Sequence, residues 1–318
     1  MFNQFFIFFT LIGIGYLSRK KNWLDEASIK GVGNLLINVA IPALLLSSIF
    51  ALDITGDLLI EFASMSLLSI AFFTLYAIFA AIYVRLRNIP SERKGIVQFF
   101  MITTNNGFIG LPISAAFFGE EGLFFMIANN LIMNIILFSY GVILVRTKPT
   151  RKEEEAIHRL INFFAPLKAV VNPGVVSILV GLILNVFSLI QWIPEAVITL
   201  TESLGGLATP LSMIYIGAIL HSSSPSSLFR DRLVLESGLV RCSLLPLITY
   251  FILLFTNIPS LMSKIIFLAT MLPTAAIIPV IVSQYGQGEE ESTKFVLFST
   301  LLSLATMPLG VYLASISF

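Results

Sequence analysis

Apolar segments of about 20 residues recur along the whole chain with short polar intervals between them, and that is the length a helix needs to cross bilayer hydrocarbon. Ten such segments are read at 2–17, 30–51, 58–84, 95–118, 122–145, 171–190, 196–220, 233–255, 261–285 and 295–315. The first, from Phe5 to Leu17, lacks a basic region before it and a small-residue cleavage site after it. It reads as a retained span, not a signal peptide.

Composition agrees with this pattern. A chain of 318 residues that is 57% hydrophobic, 12% charged and has a mean hydropathy of +0.93 cannot cover a soluble globule with polar side chains. The single cysteine, Cys242, excludes an internal disulfide.

The net charge of +1 matters less than where the charges lie. Of the 19 Lys and Arg residues, 17 fall in or beside the loops that follow odd-numbered spans. They run from Arg19 to Lys30, Arg85 to Lys94, Arg146 to Lys168, Arg230 with Arg232, and Lys294; the exceptions are Arg241 and Lys264. Basic loops are cytoplasmic, so both termini face outward and an odd number of spans per half forces the halves to be inverted.

The halves also resemble each other. A shift near 168 residues pairs Gly13 with Gly181, Trp23 with Trp192, Pro42 with Pro210, Pro112 with Pro279 and Gly119 with Gly286. The predicted fold class is therefore all-α and polytopic, with ten transmembrane helices as two inverted five-helix repeats. The repeats are 1–145 and 171–318, joined by a cytoplasmic linker at 146–170. Inverted repeats suit a secondary carrier, which presents one site to two sides in turn. In the linker, EEEAIHRLINFFAPL places Ile157, Leu160, Ile161 and Phe164 on one side of an interfacial amphipathic helix.

Spans four and nine each carry an irregular stretch near the middle. GIVQFFMITTNNGFIGLPISAAFFG contains Gly107, Gly110 and Pro112, and KIIFLATMLPTAAIIPVIVSQYG contains Pro273 and Pro279. Such residues remove helix hydrogen bonds, and unwound backbone at bilayer depth must face protein or a water-filled cavity. Pro112 and Pro279 suit the first position of the half-helix that follows, so the two half-helices aim positive ends at the midplane. Thr103, Thr104, Asn105, Asn106 and Thr274 add neutral donors and acceptors, a combination suited to an organic anion. The alternative is a pair of simple kinks whose Asn and Thr side chains satisfy freed backbone groups.

These segments carry a resemblance. NNGFIGLPISAAFFGEEG, LPTAAIIPVIVSQYG, LLSLATMPLGVYL, NVAIPALLLSSI and LATPLSMIYIGAIL together resemble the auxin efflux carrier family, which includes bacterial carboxylate carriers and plant auxin exporters. The similarity covers nearly the entire chain. It implies crossed broken helices four and nine, as in the folds of sodium/bile-acid symporters and sodium/proton antiporters. A scaffold from 1–51 and 171–220 would carry a transport domain from 58–145 and 233–318. It further implies elevator-like alternating access, a homodimer, and a bacterial cell membrane. Asn105 matches the family's substrate-contacting asparagine, with Asn106, Thr104, Gly107, Pro112, Pro273, Thr274 and Pro279 around it. The interval from Pro273 to Pro279 is one residue longer than in plant members, and the 146–170 linker is far shorter than their regulatory loop.

Three further features bear on mechanism. Arg241 lies about 13 Å into span eight counting from Arg232. There it either attracts an anion, pairs with Glu236, or snorkels to the headgroups. Asp53, Asp57, Glu61, Glu120, Glu121 and Glu195 fall near the outer boundary, and only Glu236 approaches a core position, so carboxylate-based ion coupling has little to work with. Asn130 and Asn134, next to Asn129 in span five, share a helix face and either line the cavity or bond between helices.

An enzyme is disfavoured. The two histidines, His158 and His221, fall in predicted loops, and no metal-ligand spacing or phosphate-binding loop is present. No cofactor, metal or nucleic acid is expected; the partners are the bilayer and a small carboxylate. The rival readings are a sodium- or proton-coupled symporter of the bile-acid type and a non-transporting membrane sensor.

Overall fold

The computed structural model describes residues 2–145, 173–221, 231–284 and 288–318, and among these every regular element is helical. The first half contains α1 (Phe2–Lys20), α2 (Glu26–Leu35), α3 (Ile41–Ala51), α4 (Gly56–Leu86), α5 (Ser91–Ile102), α6 (Leu111–Ile136) and α7 (Val142–Val145). The second contains α8 (Pro173–Val186), α9 (Glu195–Gly206), α10 (Ala208–His221), α11 (Arg232–Leu239), α12 (Leu245–Leu254), α13 (Ser260–Met271), α14 (Ile278–Gln284) and α15 (Glu289–Ser317). The amphipathic helix expected at 146–170 lies outside the described residues.

Among the described residues six helical runs are long and apolar enough to cross a membrane: Glu26–Ala51, Gly56–Leu86, Ser91–Val145, Glu195–His221, Arg232–Leu254 and Glu290–Ser317. Pro173–Val186 and Ser260–Met271 are shorter apolar helices. The run Ser91–Val145 has 55 residues, far more than one crossing needs. It folds back on itself, because Gly95 packs against the carbonyl of Leu144 and Gly141 against the ring of Phe99. Its helical dihedrals fail at Gly119, where φ is 66° and ψ is −162°, a conformation that a side chain would strain.

The polarity of the molecule is that of a protein dissolved in lipid. Along α4, Leu67, Ile70, Ile78 and Ile82 are exposed while Ser69 and Tyr76 are buried. In water such an apolar surface would drive aggregation. In hydrocarbon it costs nothing, and the polar side chains go inward to find partners.

Three of the prolines inside helices share one device. π-Helical segments at Leu36–Ala40, Asn106–Gly110 and Val240–Leu244 each end two residues before a proline, at Pro42, Pro112 and Pro246. A proline lacks its N–H and its ring collides with the carbonyl of residue i−4. One widened turn upstream lets the helix pass that carbonyl without ending.

Close packing rests on small residues, as expected where lipid gives helices no hydrophobic reason to associate. Gly15 of α1 meets the backbone of Ile214 in α10, and Gly217 of α10 meets that of Ile12. Gly205 rests on Ala43 and Leu44 of α3, while Gly181 of α8 rests on Ile49. Asn185 ties α8 to the end of α3, donating to the carbonyls of Ile49 and Leu52 (both 2.8 Å) and accepting from Ile54 N (3.2 Å).

A second set of contacts joins α4, α5, α6, α11, α13 and α15. At one end of it Arg93 donates to Asp231 (2.8 Å) and to Glu291 (2.5 Å), linking the starts of α5, α11 and α15. Glu236 accepts from Arg232 (2.7 Å) and from Arg87 at the end of α4.

Candidate functional site

The two irregular stretches meet. Helix α5 stops at Ile102 and α13 at Met271, and the extended backbone after each touches the other: Asn105 N donates to the carbonyl of Pro273 at 2.8 Å. Local chemistry explains where α5 ends. The Thr103 hydroxyl bonds back to the carbonyl of Phe99 (2.8 Å) and so competes for a backbone acceptor of α5, while the Asn105 side chain accepts from Phe108 N (3.4 Å) and caps the segment that follows. Pro273 has no N–H to continue α13, and its carbonyl is left to receive Asn105.

The position of the first break corrects the sequence expectation. Pro112 does not begin a half-helix: regular structure resumes at Asn106, with Asn105 as its cap, and the unwound residues are Thr103 to Asn105. The π-helical segment absorbs the proline, as it does at Pro42 and Pro246. Pro279 does lie in the first turn of its helix, α14, and the second break spans Leu272 to Ile277.

Neutral polar side chains knit this junction together. Thr103 Oγ1 and Thr274 Oγ1, one from each break, are 2.7 Å apart and both wholly buried. Thr104 donates to Asn106 Oδ1 (2.7 Å), Asn106 donates to Asn129 Oδ1 (2.7 Å), and Asn129 donates to Ser69 Oγ (2.8 Å). Asn106, Thr104 and Thr274 are thus committed to internal bonds. Gly110 sits where a side chain would meet Leu272, so it permits the two stretches to close on each other, whereas Gly107 has open space beside it.

Arg241 is the charge at this junction. It is wholly buried, and its guanidinium donates to the carbonyls of Thr270 (2.8 Å), Thr103 (3.1 Å) and Leu272 (3.4 Å). Those carbonyls belong to the C-terminal ends of α5 and α13, where four carbonyls per helix lose their intrahelical partners and the dipoles are negative. The planar fork of arginine can reach both ends at once, which a lysine cannot. Arg241 therefore neither snorkels nor pairs with Glu236. That carboxylate belongs to Arg87 and Arg232 at the boundary and is not a core group. Among the described residues no Asp or Glu is buried.

Of the predicted polar side chains, Asn105 lines a cavity. Its other lining residues include Phe108, Ala276, Thr300 of α15, and Tyr215 and Ile216 of α10. Asn105 accepts from Phe108 N through its oxygen, which leaves its NH2 group for a ligand. The Phe108 and Tyr215 rings stack at 5.3 Å. Asn105 also caps the helix that starts at Asn106, so the positive end of that helix adjoins the cavity.

The remaining candidates lie elsewhere. Asn134 donates to the carbonyl of Asn130 within its own helix (2.9 Å), and neither asparagine lines the cavity; Asn129 is the member of that trio that reaches the junction. His221 is the last residue of α10, not a loop residue. Sequence reasoning missed Tyr215 and Thr300, which sit in apolar runs and become site residues only through what packs opposite them.

Residues 1–311 match the family described as membrane transport protein. The chain is 27% identical over 299 residues to an uncharacterized transporter of Methanothermobacter thermautotrophicus, covering 94% of this chain and 93% of that protein. It is 22% identical over 304 residues to an uncharacterized transporter of Methanocaldococcus jannaschii, covering 94% of each. The chain belongs to this family, the auxin efflux carriers, and is a multi-pass membrane protein of a transporter family and not of an enzyme family.

Proposed function

We propose that the protein is a secondary transporter that exports a small organic anion, a malonate-, malate- or auxin-like carboxylate, across the bacterial cell membrane by elevator-type alternating access. In this reading ten spans form two inverted five-helix repeats, 1–145 and 171–318, with both termini outside. Residues 1–51 and 171–220 form the scaffold, and residues 58–145 and 233–318 the moving domain. Two chains make the functional dimer. Packing supports the division: α1, α3, α8, α9 and α10 contact one another, as do α4, α5, α6, α11, α13 and α15.

The observation that carries the reading is the Asn105 amide on a cavity beside a helix N-terminus, with a fixed guanidinium and no buried carboxylate at the same junction. A carboxylate would accept from the Asn105 NH2 and from the helix end, while Arg241 keeps the local potential positive. With that charge already built in, transport needs no bound sodium or proton, which separates this reading from the coupled symporter.

The test is thermal stabilisation of purified protein by a panel of mono- and dicarboxylates, followed by counterflow of the labelled hit in proteoliposomes. A true ligand raises the melting temperature of the wild type, loses that effect in Asn105→Ala, and exchanges across the membrane. A shift unchanged in Asn105→Ala would move the site elsewhere. Binding without counterflow would make the protein a sensor.

A further inference from the structure

A second cavity shares one wall residue, Ile216, with the one that Asn105 lines. It is walled by apolar side chains alone, among them Phe8 and Ile12 of α1, Ile109, Met213 of α10, and Leu304 of α15. Both cavities run along one seam, between α10 on one side and the broken stretch with α15 on the other. Positions along each wall keep the same order. The polar cavity takes Asn105 and Phe108, Ile219 and Leu220, and Val296 and Thr300; the apolar one takes Ile109 and Ile113, Met213, and Leu304 and Met307. Ile216 is the one residue that lines both, and it is itself buried at 6% exposure.

We infer that Ile216 is the partition of this transporter: the single side chain on α10 that separates the two ends of the seam and keeps the carrier from leaking. Chemistry supports the assignment. A polar solute resting at Asn105, Tyr215 and Thr300 meets a branched apolar side chain, with a cavity beyond it that offers no hydrogen bond and favours dryness. The backing is firm, because the Phe108–Tyr215 stack at 5.3 Å flanks Ile216 on the polar side and Gly217, next in sequence, locks α10 against α1. A solute passes only when the stretch bearing Asn105 moves along α10, carrying its polar groups past a fixed Ile216.

The inference rests on the chain acting as a carrier with its site at Asn105, but its test does not need the substrate. Wild type, Ile216→Ala, Ile219→Ala and Met213→Ala are reconstituted into liposomes, and urea entry is followed by stopped-flow light scattering. Ile219 and Met213 each line one cavity only, so their variants enlarge one end without joining the two. The expected result is a urea permeability at least about fivefold above wild type in Ile216→Ala, with both controls near wild type. Should Ile216→Ala not reconstitute as folded protein, Ile216→Thr keeps a branched side chain of similar shape but wets the seam, and it must show the same leak. Wild-type permeability in a folded Ile216 variant, or an equal leak from either control, overturns the assignment. A leak with no carboxylate found to bind at Asn105 would keep the partition and discard the substrate reading.

Discussion

Arg241 shows how far one side chain can set the architecture around it. A charge in the middle of a membrane helix is costly unless it is paired and hydrogen-bonded, and here the partners are backbone carbonyls from two separate helices. Truncating it should leave those carbonyls without a donor in a buried place, at about 1–3 kcal/mol each. Arg241→Ala is therefore expected to lose roughly 3 kcal/mol or more and to melt well below the wild type in detergent. Arg241→Lys should fall between them, because one ammonium keeps the charge but spans fewer of the acceptors. Intrinsic-fluorescence melts with size-exclusion profiles would read this, and equal melting of Arg241→Ala and wild type would show the guanidinium to be dispensable. The sequence made Arg241 visible as a charge at depth, but its partners were not legible. Carbonyls carry no residue identity, and Glu236, the tempting acidic neighbour, lies five positions away where a helix cannot present it.

Among the elements, α11 tests how the boundary charges act. Asp231 caps it, accepting from Leu233 N (3.0 Å) and Val234 N (3.4 Å) as well as from Arg93. Partial burial raises its carboxyl, but the hydrogen bond and charge of Arg93, with the two amides, outweigh that and hold it below its ordinary 3.8. A lowered value means the contribution is complete at pH above 3.8 and is lost as pH falls through the folded value. Asp231→Ala removes both cap and ion pair and should cost about 1–2 kcal/mol at neutral pH, discounted for the partial exposure of the pair. Asp231→Asn keeps the cap and should cost about half as much, with its deficit against wild type shrinking as pH falls below 3.8 and vanishing once it passes the folded value. Chemical unfolding at neutral and acid pH would check both, and a deficit that persists in acid would place the effect in packing. Element boundaries were only partly readable. Glycine and proline in spans four and nine flagged the breaks, yet the first lies at Thr103 to Asn105, upstream of Pro112. A proline disturbs the turn before it, and whether that turn ends the helix or widens is decided by tertiary contacts such as Asn105 to Pro273.

At the scale of the whole molecule, an apolar surface suited to lipid is a cumulative signal spread over many residues, so it survives in a single sequence. Tyr215, Thr300 and Ile216 do not, because each sits in an apolar run and acquires meaning only when α10 faces the broken stretch. That arrangement leaves one fixed positive charge at the junction and, among the described residues, no buried acid to bind a coupling cation. An anion carried through it alone moves one negative charge across the bilayer. Under an inside-negative potential that step is worth about 2.3 kcal/mol per 100 mV, or roughly a 50-fold outside-to-inside ratio at equilibrium for a monovalent substrate. In proteoliposomes clamped with potassium and valinomycin, labelled substrate should redistribute with the imposed potential and be indifferent to sodium. It should shift with pH only as far as the substrate itself titrates. Flux that ignores the potential and follows a sodium or proton gradient would require a coupling ion at this junction, and with it a different role for Arg241.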